Sequence, residues 1–310
     1  MSEPDSAAVL RVMRTTKVKK TREDLVIDIF TYVSAAIVFA VCFYPFYLSI
    51  VLAFNEGKDA LLGGIYLWPR KATLINFAQL ISDHAWTEAL GITALRTVIG
   101  TVVTVFFTAL VSYGLSSREL VFRKLYLSLI IFAMYFSGGV IPYFMVLRSL
   151  GLINNFLVYI IPGAVNLFYV LVAISFFQSI PKELAESARM DGAGELRIFT
   201  QIILQVSKPL LATIAIFTAV GHWNSWYDCA FFTQDKILRT MGYMLMSIIN
   251  QTSNTQMTAT SAAASTANQS ITNLSLQLAA MIVAVAPILI VYPYFQKYFI
   301  TGLTLGSVKG

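Results

Sequence analysis

Charge is what this 310-residue chain lacks: only 12% of its residues are Asp, Glu, Lys or Arg, while 57% are hydrophobic. A soluble domain needs about 25% charged residues to cover its surface, so a chain this poor in charge belongs in lipid. Histidine and cysteine are scarce too, with two of each. His84 and His222 stand too far apart in sequence to argue as a pair, and no Cys/His cluster has metal-ligand spacing. Cys42 and Cys229 lie in or beside apolar runs and read as small buried hydrophobes rather than a disulfide. There is no G-x-x-x-x-G-K-S/T phosphate loop and no G-x-S-x-G nucleophile context. The chain therefore has no such route to ATP hydrolysis and no serine-hydrolase centre.

What is present is a series of long uncharged windows: 29–55, 97–117, 125–147, 149–181, 209–227 and an apolar run from Leu276 to Gln296. A spanning helix needs about 20 apolar residues, so six spans fit. The runs do not alternate with period two, which excludes a strand barrel. The expected fold is all-α, a polytopic membrane protein of six transmembrane helices. Lys and Arg set its orientation. With the N-terminus inside, fifteen fall on the cytoplasmic side and six outside, with Arg96 left near a span end. Both termini are then cytoplasmic in a multi-pass chain. The net charge of +6 follows from this asymmetry, so no nucleic acid is needed to explain it. The first apolar run follows a long polar arm and exceeds the roughly 7–15 residue core of a signal peptide, so it is expected to stay as the first span.

The expected organisation is a basic cytoplasmic arm (1–25), a transmembrane domain (26–300) and a cytoplasmic tail (301–310). The arm is free or lies on the anionic inner leaflet. Tyr66 and Trp68, in the outward loop 56–88, fit ordered turns or interfacial anchors. Asn250–Asn273 carries no charge and is rich in Ser, Thr, Asn and Gln. Such a stretch cannot bury a core by itself and reads as an outward loop between the fifth and sixth spans.

One segment is polar where its surroundings are not: Pro181–Lys208, PKELAESARMDGAGELRIFTQIILQVSK. It reads as two short helices with a break. Pro181 suits a first helical position, and Glu183 and Glu186 stand near the helix N-terminus with Arg189 toward the other end. Gly192 supplies the left-handed residue that stops a helix. From Glu195 onward, Leu196, Phe199, Ile203 and Val206 recur at 3–4–3 spacing and predict one apolar face. A plain interfacial helix pair fits the same pattern. The second polar feature is His222-Trp223-Asn224-Ser225-Trp226-Tyr227-Asp228. Trp223, Asn224, Trp226, Tyr227 and Asp228 suit the lining of a sugar pathway, and equally an aromatic belt with helix–helix hydrogen bonds.

The spacing E-x-A-x3-G-x9-I-x-L, filled by Glu186, Ala188, Gly192, Ile202 and Leu204, resembles the cytoplasmic loop by which an ABC-transporter permease grips its ATPase. Residues 54–77, 136–165, 219–226 and 296–310 share the likeness. Together they resemble the sugar-type (MalG-like) permease subunits of binding-protein-dependent ABC importers, most of all the LplC/YtcP-like branch that includes the smaller permease of alginate importers. The resemblance implies a MetI/MalG-like permease fold with a coupling helix in the loop 181–208. It implies a non-catalytic subunit, forming half of a pathway for oligosaccharides or polysaccharide fragments, with no cofactor of its own. The implied partners are a second permease subunit, two ABC ATPase subunits that bind ATP and Mg, and an extracytoplasmic solute-binding protein.

Under the resemblance Glu183, Glu186, Ser187, Ala188, Arg189, Asp191 and Gly192 couple to the ATPase, with Ala185, Ser187 and Ala188 seated in its cleft. Gly306, Ser307 and Lys309 belong to a tail that reaches the ATPase interface. The family's loop commonly ends Leu-Pro, whereas here Gln205 follows Leu204, which is expected to straighten the lead-in to the fifth span. Two other classes fit a polytopic chain. A secondary transporter normally buries ionisable residues in mid-span, and these windows are nearly free of them. A membrane-embedded enzyme or scaffold has no use for the docking loop.

Overall fold

A computed structural model describes the backbone of residues 21–257 and 271–307, and the side chains of 21–251 and 271–293. Helices carry it: α1 (Arg22–Ala53), α2 (Gly57–Leu61), α3 (Ile75–Ser82), α4 (His84–Ser116), α5 (Arg123–Tyr135), α6 (Val140–Ser149), α7 (Leu167–Ser179), α8 (Glu183–Met190), α9 (Glu195–Val206), α10 (Lys208–Asn224), α11 (Tyr227–Phe232), α12 (Met241–Met257) and α13 (Asn273–Ser307). Lipid offers no hydrogen bonds, so the backbone of each span must satisfy itself, and helices do this. Three helices are long and apolar enough to cross alone: α1, α4 and the Asn273–Pro293 part of α13. Three bent pairs, α5 with α6, α7 with α8, and α9 with α10, bring the total to as many as six spans.

Thr21 starts α1 with a reciprocal cap: its hydroxyl accepts from the Asp24 amide at 3.3 Å, and the Asp24 carboxylate accepts from the Thr21 amide at 2.9 Å. Two of the amides left over at a helix start are thereby satisfied.

The centre of the molecule is α4, which packs chiefly against α10 and α7. Its buried face reads Ala89, Thr93, Arg96, Gly100, Thr104, Thr108 and Ser112, a stripe of mostly small residues at helical spacing. In lipid no hydrophobic force draws helices together, so close approach and hydrogen bonds must do it. The Thr104 hydroxyl donates to the Gly163 carbonyl at 2.7 Å, and the Thr93 hydroxyl accepts from the Met241 amide at 2.8 Å. Such bonds contribute about 0.6 kcal/mol each. At Gly100 a Cβ would lie 2.5 Å from His222 Nε2, so α10 approaches α4 closely because this position has no side chain.

The segment between α1 and α3 is a built structure. Asn55 Nδ2 donates to the Asp59 carboxylate at 3.0 Å, and Arg70 grips the same carboxylate at 3.2 Å and the Gly63 carbonyl at 2.7 Å. Asn76 donates to the carbonyls of Ala53 and Asn55, tying α3 to the end of α1.

Several sequence expectations are corrected. The third window, 125–147, is not one straight span: α5 and α6 meet at a bend of 116°, because Ser137-Gly138-Gly139 interrupts the helix and Gly139 sits at φ +83°. The lead-in to the fifth span is not straight either. α9 and α10 meet at 81°, with the break at Ser207–Lys208 just before Pro209, whose ring would clash with a preceding helical turn. Cys42 is exposed rather than buried, while Cys229 is buried; neither forms a disulfide. The Asn250–Asn273 stretch begins helical, since α12 runs on to Met257. Once nucleated, a helix gains a hydrogen bond for each residue added, and Ser, Thr and Asn penalise it only slightly. Residues 258–270 lie outside the described residues. By the same propagation α13 continues through Gly306 and Ser307 as helix, and Lys309 lies outside the described residues.

Candidate functional site

The charged connector is a pair of helices packed at the ends of α4, α7 and α10. α8 starts at Glu183, two residues after Pro181. It stops where expected, for a reason visible in the hydrogen bonds. Gly192 has φ +80°, the Ala193 amide donates to the Ala188 carbonyl at 2.9 Å, and the Gly192 amide donates to the Arg189 carbonyl at 3.0 Å. This is the paired closure of a Schellman turn, which needs a left-handed residue. Glu195 then joins the two helices. Its carboxylate accepts from Arg189 Nε and from the Tyr113 hydroxyl, both at 2.8 Å. Those two hydrogen bonds, Arg189 first, hold the Glu195 carboxyl below its usual range.

The faces of these helices differ from the sequence reading. Ala185 and Ala188 are half-buried, packed against the chain's own core of Phe177, Ile198, Phe199 and Ile203. Arg189 is engaged with Glu195. The outward face carries Glu183, Leu184, Glu186, Ser187, Met190 and Asp191, all exposed. Met190 is 88% exposed and Leu196 is 69% exposed. The predicted apolar face of α9 is observed in part: Phe199 and Ile203 are buried, with Ile198 beside them, while Leu196 and Val206 are exposed. A wide turn with i→i+5 bonding over Phe199–Ile203 shifts the register, and a strict 3–4–3 count cannot anticipate that. Leu184 and Met190 were missed as candidates. The signal was available: large apolar side chains in a segment otherwise read as solvated.

On the other side of the bundle, the residues 223–228 separate into packing and exposed groups. The Trp223 indole donates to the Ala284 carbonyl on α13 at 2.9 Å, as a helix–helix contact. The Asp228 carboxylate accepts from Arg96, and from the Ser225 hydroxyl at 3.1 Å. Arg96 is almost fully buried, also reaches the Ser225 carbonyl, and lies 4.6 Å from the centre of the Tyr159 ring. Asn224 ends α10. Trp226 and Tyr227 remain exposed, and Tyr227 borders a cavity of about 630 Å³ at the α5–α6 bend. Sequence reasoning placed Arg96 at a span end. It lies inside the 33-residue helix α4, its charge met by an aspartate 132 residues away. No group of His, Cys, Asp and Glu suited to a metal occurs among the described residues.

Residues 106–304 match the family described as binding-protein-dependent transport system inner membrane component. The chain is 34% identical to Protein LplC of Bacillus subtilis, over 94% of this chain and 97% of that protein. It is 36% identical to the polygalacturonan/rhamnogalacturonan transport system permease protein YtcP of the same organism, over 87% and 93%. Among solved structures it resembles a chain from the crystal structure of a bacterial ABC transporter involved in the import of the acidic polysaccharide alginate. The TM-score is 0.81 at 27% identity, covering 90% of this chain and 99% of that one. Such permeases are non-catalytic; ATP is hydrolysed by partner subunits. With an apolar helical bundle, an exposed connector closed by Gly192, and these likenesses along nearly its whole length, the chain belongs to the family of inner-membrane permease components of binding-protein-dependent ABC transporters.

Proposed function

We propose that this chain is one permease subunit of an importer for oligosaccharides or polysaccharide fragments. It pairs with a second, different permease, docks one of two ATPase subunits through α8, and receives solute from an extracytoplasmic binding protein. Both termini lie in the cytoplasm. The observation that carries the reading is the outward face of α8. An exposed helix that presents Leu184 and Met190 among Glu183, Glu186, Ser187 and Asp191 has the anatomy of a docking patch, with apolar anchors inside a polar rim. Its inner face, its Schellman turn and the Arg189–Glu195–Tyr113 link fix it to the spans, so movement of a seated partner reaches α4, α7 and α10. The substrate class rests on the relatives, whose names include polygalacturonan and alginate.

The tail bearing Gly306, Ser307 and Lys309 is assigned to the ATPase interface, and the Asn250–Asn273 stretch to the outside, toward the binding protein. Trp223, Asn224, Trp226, Tyr227 and Asp228 are assigned to the wall of the pathway, with Trp226 and Tyr227 exposed to solute and Trp223 and Asp228 holding the wall in shape. The test is reconstitution of the chain with its second permease, ATPases and binding protein in proteoliposomes. ATP-dependent uptake of labelled oligogalacturonate or alginate oligosaccharide is the expected result. A complex that assembles and hydrolyses ATP but takes up no glycan would overturn the substrate class, and a chain that never retains an ATPase would overturn the docking.

A further inference from the structure

The break between α5 and α6 lies inside an apolar stretch. α5 leaves the cytoplasmic charges Arg123 and Lys124 and runs thirteen residues, which is about 20 Å and well into a hydrocarbon core of about 30 Å. There the chain turns through 116° over Phe136–Gly139. Among the described residues the amides of Ser137 and Gly138 meet no acceptor, and the Gly139 amide reaches only the Ser137 hydroxyl, at 3.4 Å. Open backbone facing lipid at that depth is not tolerated; it occurs only where protein covers it or where it lines a watery cavity. A cavity is present. It measures about 630 Å³, and Phe136, Ser137, Gly138, Gly139, Tyr143 and Tyr227 contribute to its wall, a size within the usual range of small-molecule sites.

Its aromatic side is rigid. The rings of Tyr143 and Tyr227 lean edge-on against Phe232, with centroids 5.4 Å and 6.0 Å away, and Phe232 is itself buried. Two held tyrosines lining the same cavity as the unpaired amides and a serine hydroxyl make a surface with apolar faces and hydrogen-bonding edges. A sugar ring has the same division, with C–H faces and a rim of hydroxyls. Gly138 and Gly139 leave the backbone open on this wall: a Cβ on Gly138 would touch only Pro142 Cβ at 3.8 Å, and one on Gly139 nothing.

Resting on the oligosaccharide reading above, we propose that the α5–α6 break is a carbohydrate contact in the translocation pathway. The Ser137–Gly139 backbone takes sugar hydroxyls there, and Tyr143 and Tyr227 take sugar faces. Broken membrane helices serve transported solutes in this manner because they expose backbone polar groups at membrane depth.

The test uses the full complex with its binding protein in lipid nanodiscs, in a Cys42→Ser background that leaves Cys229 buried. Ser137→Cys is treated with a cationic, membrane-impermeant thiol reagent in the vanadate-trapped state. The binding protein is supplied either empty or loaded with trigalacturonate or an alginate tetrasaccharide. Expected are modification with the empty protein and a rate about tenfold lower with the loaded one, a difference of about 1.4 kcal/mol. Gly138→Leu and Tyr227→Ala are expected to lower uptake of the same probes while the ATPase still co-purifies. No modification would mean the break is covered by protein or lipid, and equal modification with and without glycan would mean no sugar contact. Either result, or wild-type uptake by both variants, overturns the proposal. Absence of uptake by the unsubstituted complex would count against the oligosaccharide reading instead, and the labelling would still decide whether the break is watery.

Discussion

Arg96 of α4 and Asp228 of α11 form an ion pair inside the bundle, 132 residues apart in sequence, with the guanidinium side chain 3% exposed and the carboxylate side chain 28% exposed. Arg96 also touches the Ser225 carbonyl and the Tyr159 ring. The pair therefore ties the turn after α10 to the central helix. A charge buried without its partner is strongly destabilising, whereas replacing both by apolar groups is often close to neutral. Asp228→Ala is expected to destabilise the purified complex by about 3 kcal/mol, read as a lower Tm, and Arg96→Met with Asp228→Leu to recover most of the loss. Additive losses in the double variant would show that the two residues do not act as a unit.

Gly100 and His222 make a second relationship open to test. Because an added Cβ would fall 2.5 Å from the imidazole, Gly100→Ala is expected to cost about 1–3 kcal/mol through overpacking. His222→Ala in the same chain should relieve it. Thermal unfolding of the two single variants and the double variant checks this. A Gly100→Ala protein as stable as wild type would mean that α10 yields easily.

At the connector, Met190→Glu should leave the Tm of the isolated chain unchanged, because the side chain is exposed. Retention of the ATPase should fall more than tenfold, as expected for an interface anchor. Glu186→Lys should act in the same direction at the rim. Gly192→Val differs in kind, since φ +80° is a conformation that β-branched residues resist; it should disturb the turn itself and lower both stability and coupling. Co-purification and ATP turnover separate the two cases. A Met190→Glu complex with full ATPase occupancy would remove Met190 from the docking face.

The loop between α1 and α3 predicts an insensitivity to pH. The hydrogen bond from Asn55, with Arg70 nearby, lowers the Asp59 pKa against the opposing effect of burial. A carboxyl whose folded pKa is depressed contributes stability that is present above its unfolded pKa and is lost as pH falls through the folded value. Protection of the loop from proteolysis should thus be constant from neutral pH down to about pH 4 and fail only below it. Asp59→Asn should weaken the loop at neutral pH.

Much of the architecture was legible in the sequence because lipid imposes it. Windows free of charge between Lys and Arg clusters mark spans wherever the chain crosses hydrocarbon, and α1, α4 and α13 lie where the windows place them. The stop at Gly192 was equally legible, because a left-handed turn after a helix selects glycine locally. Local rules failed where a neighbour decides. Ala185 and Ala188 are small enough for either a partner's cleft or the chain's own core, and in the structure they pack partly against the cluster of Phe177, Ile198 and Phe199. The wide turn at Phe199–Ile203 moved Leu196 and Val206 outward, although their spacing promised burial.

The sequence by itself determined the class, the spans, the polar connector and its glycine stop, since each depends on composition or on the conformational limits of one residue. Tertiary structure alone decided that Arg96 meets Asp228, that Trp223 is occupied by Ala284, and that the third window bends around a cavity beside Tyr227. Such pairings join positions far apart along the chain. Their energies depend on which helices lie side by side, and no local pattern of residue types carries that information.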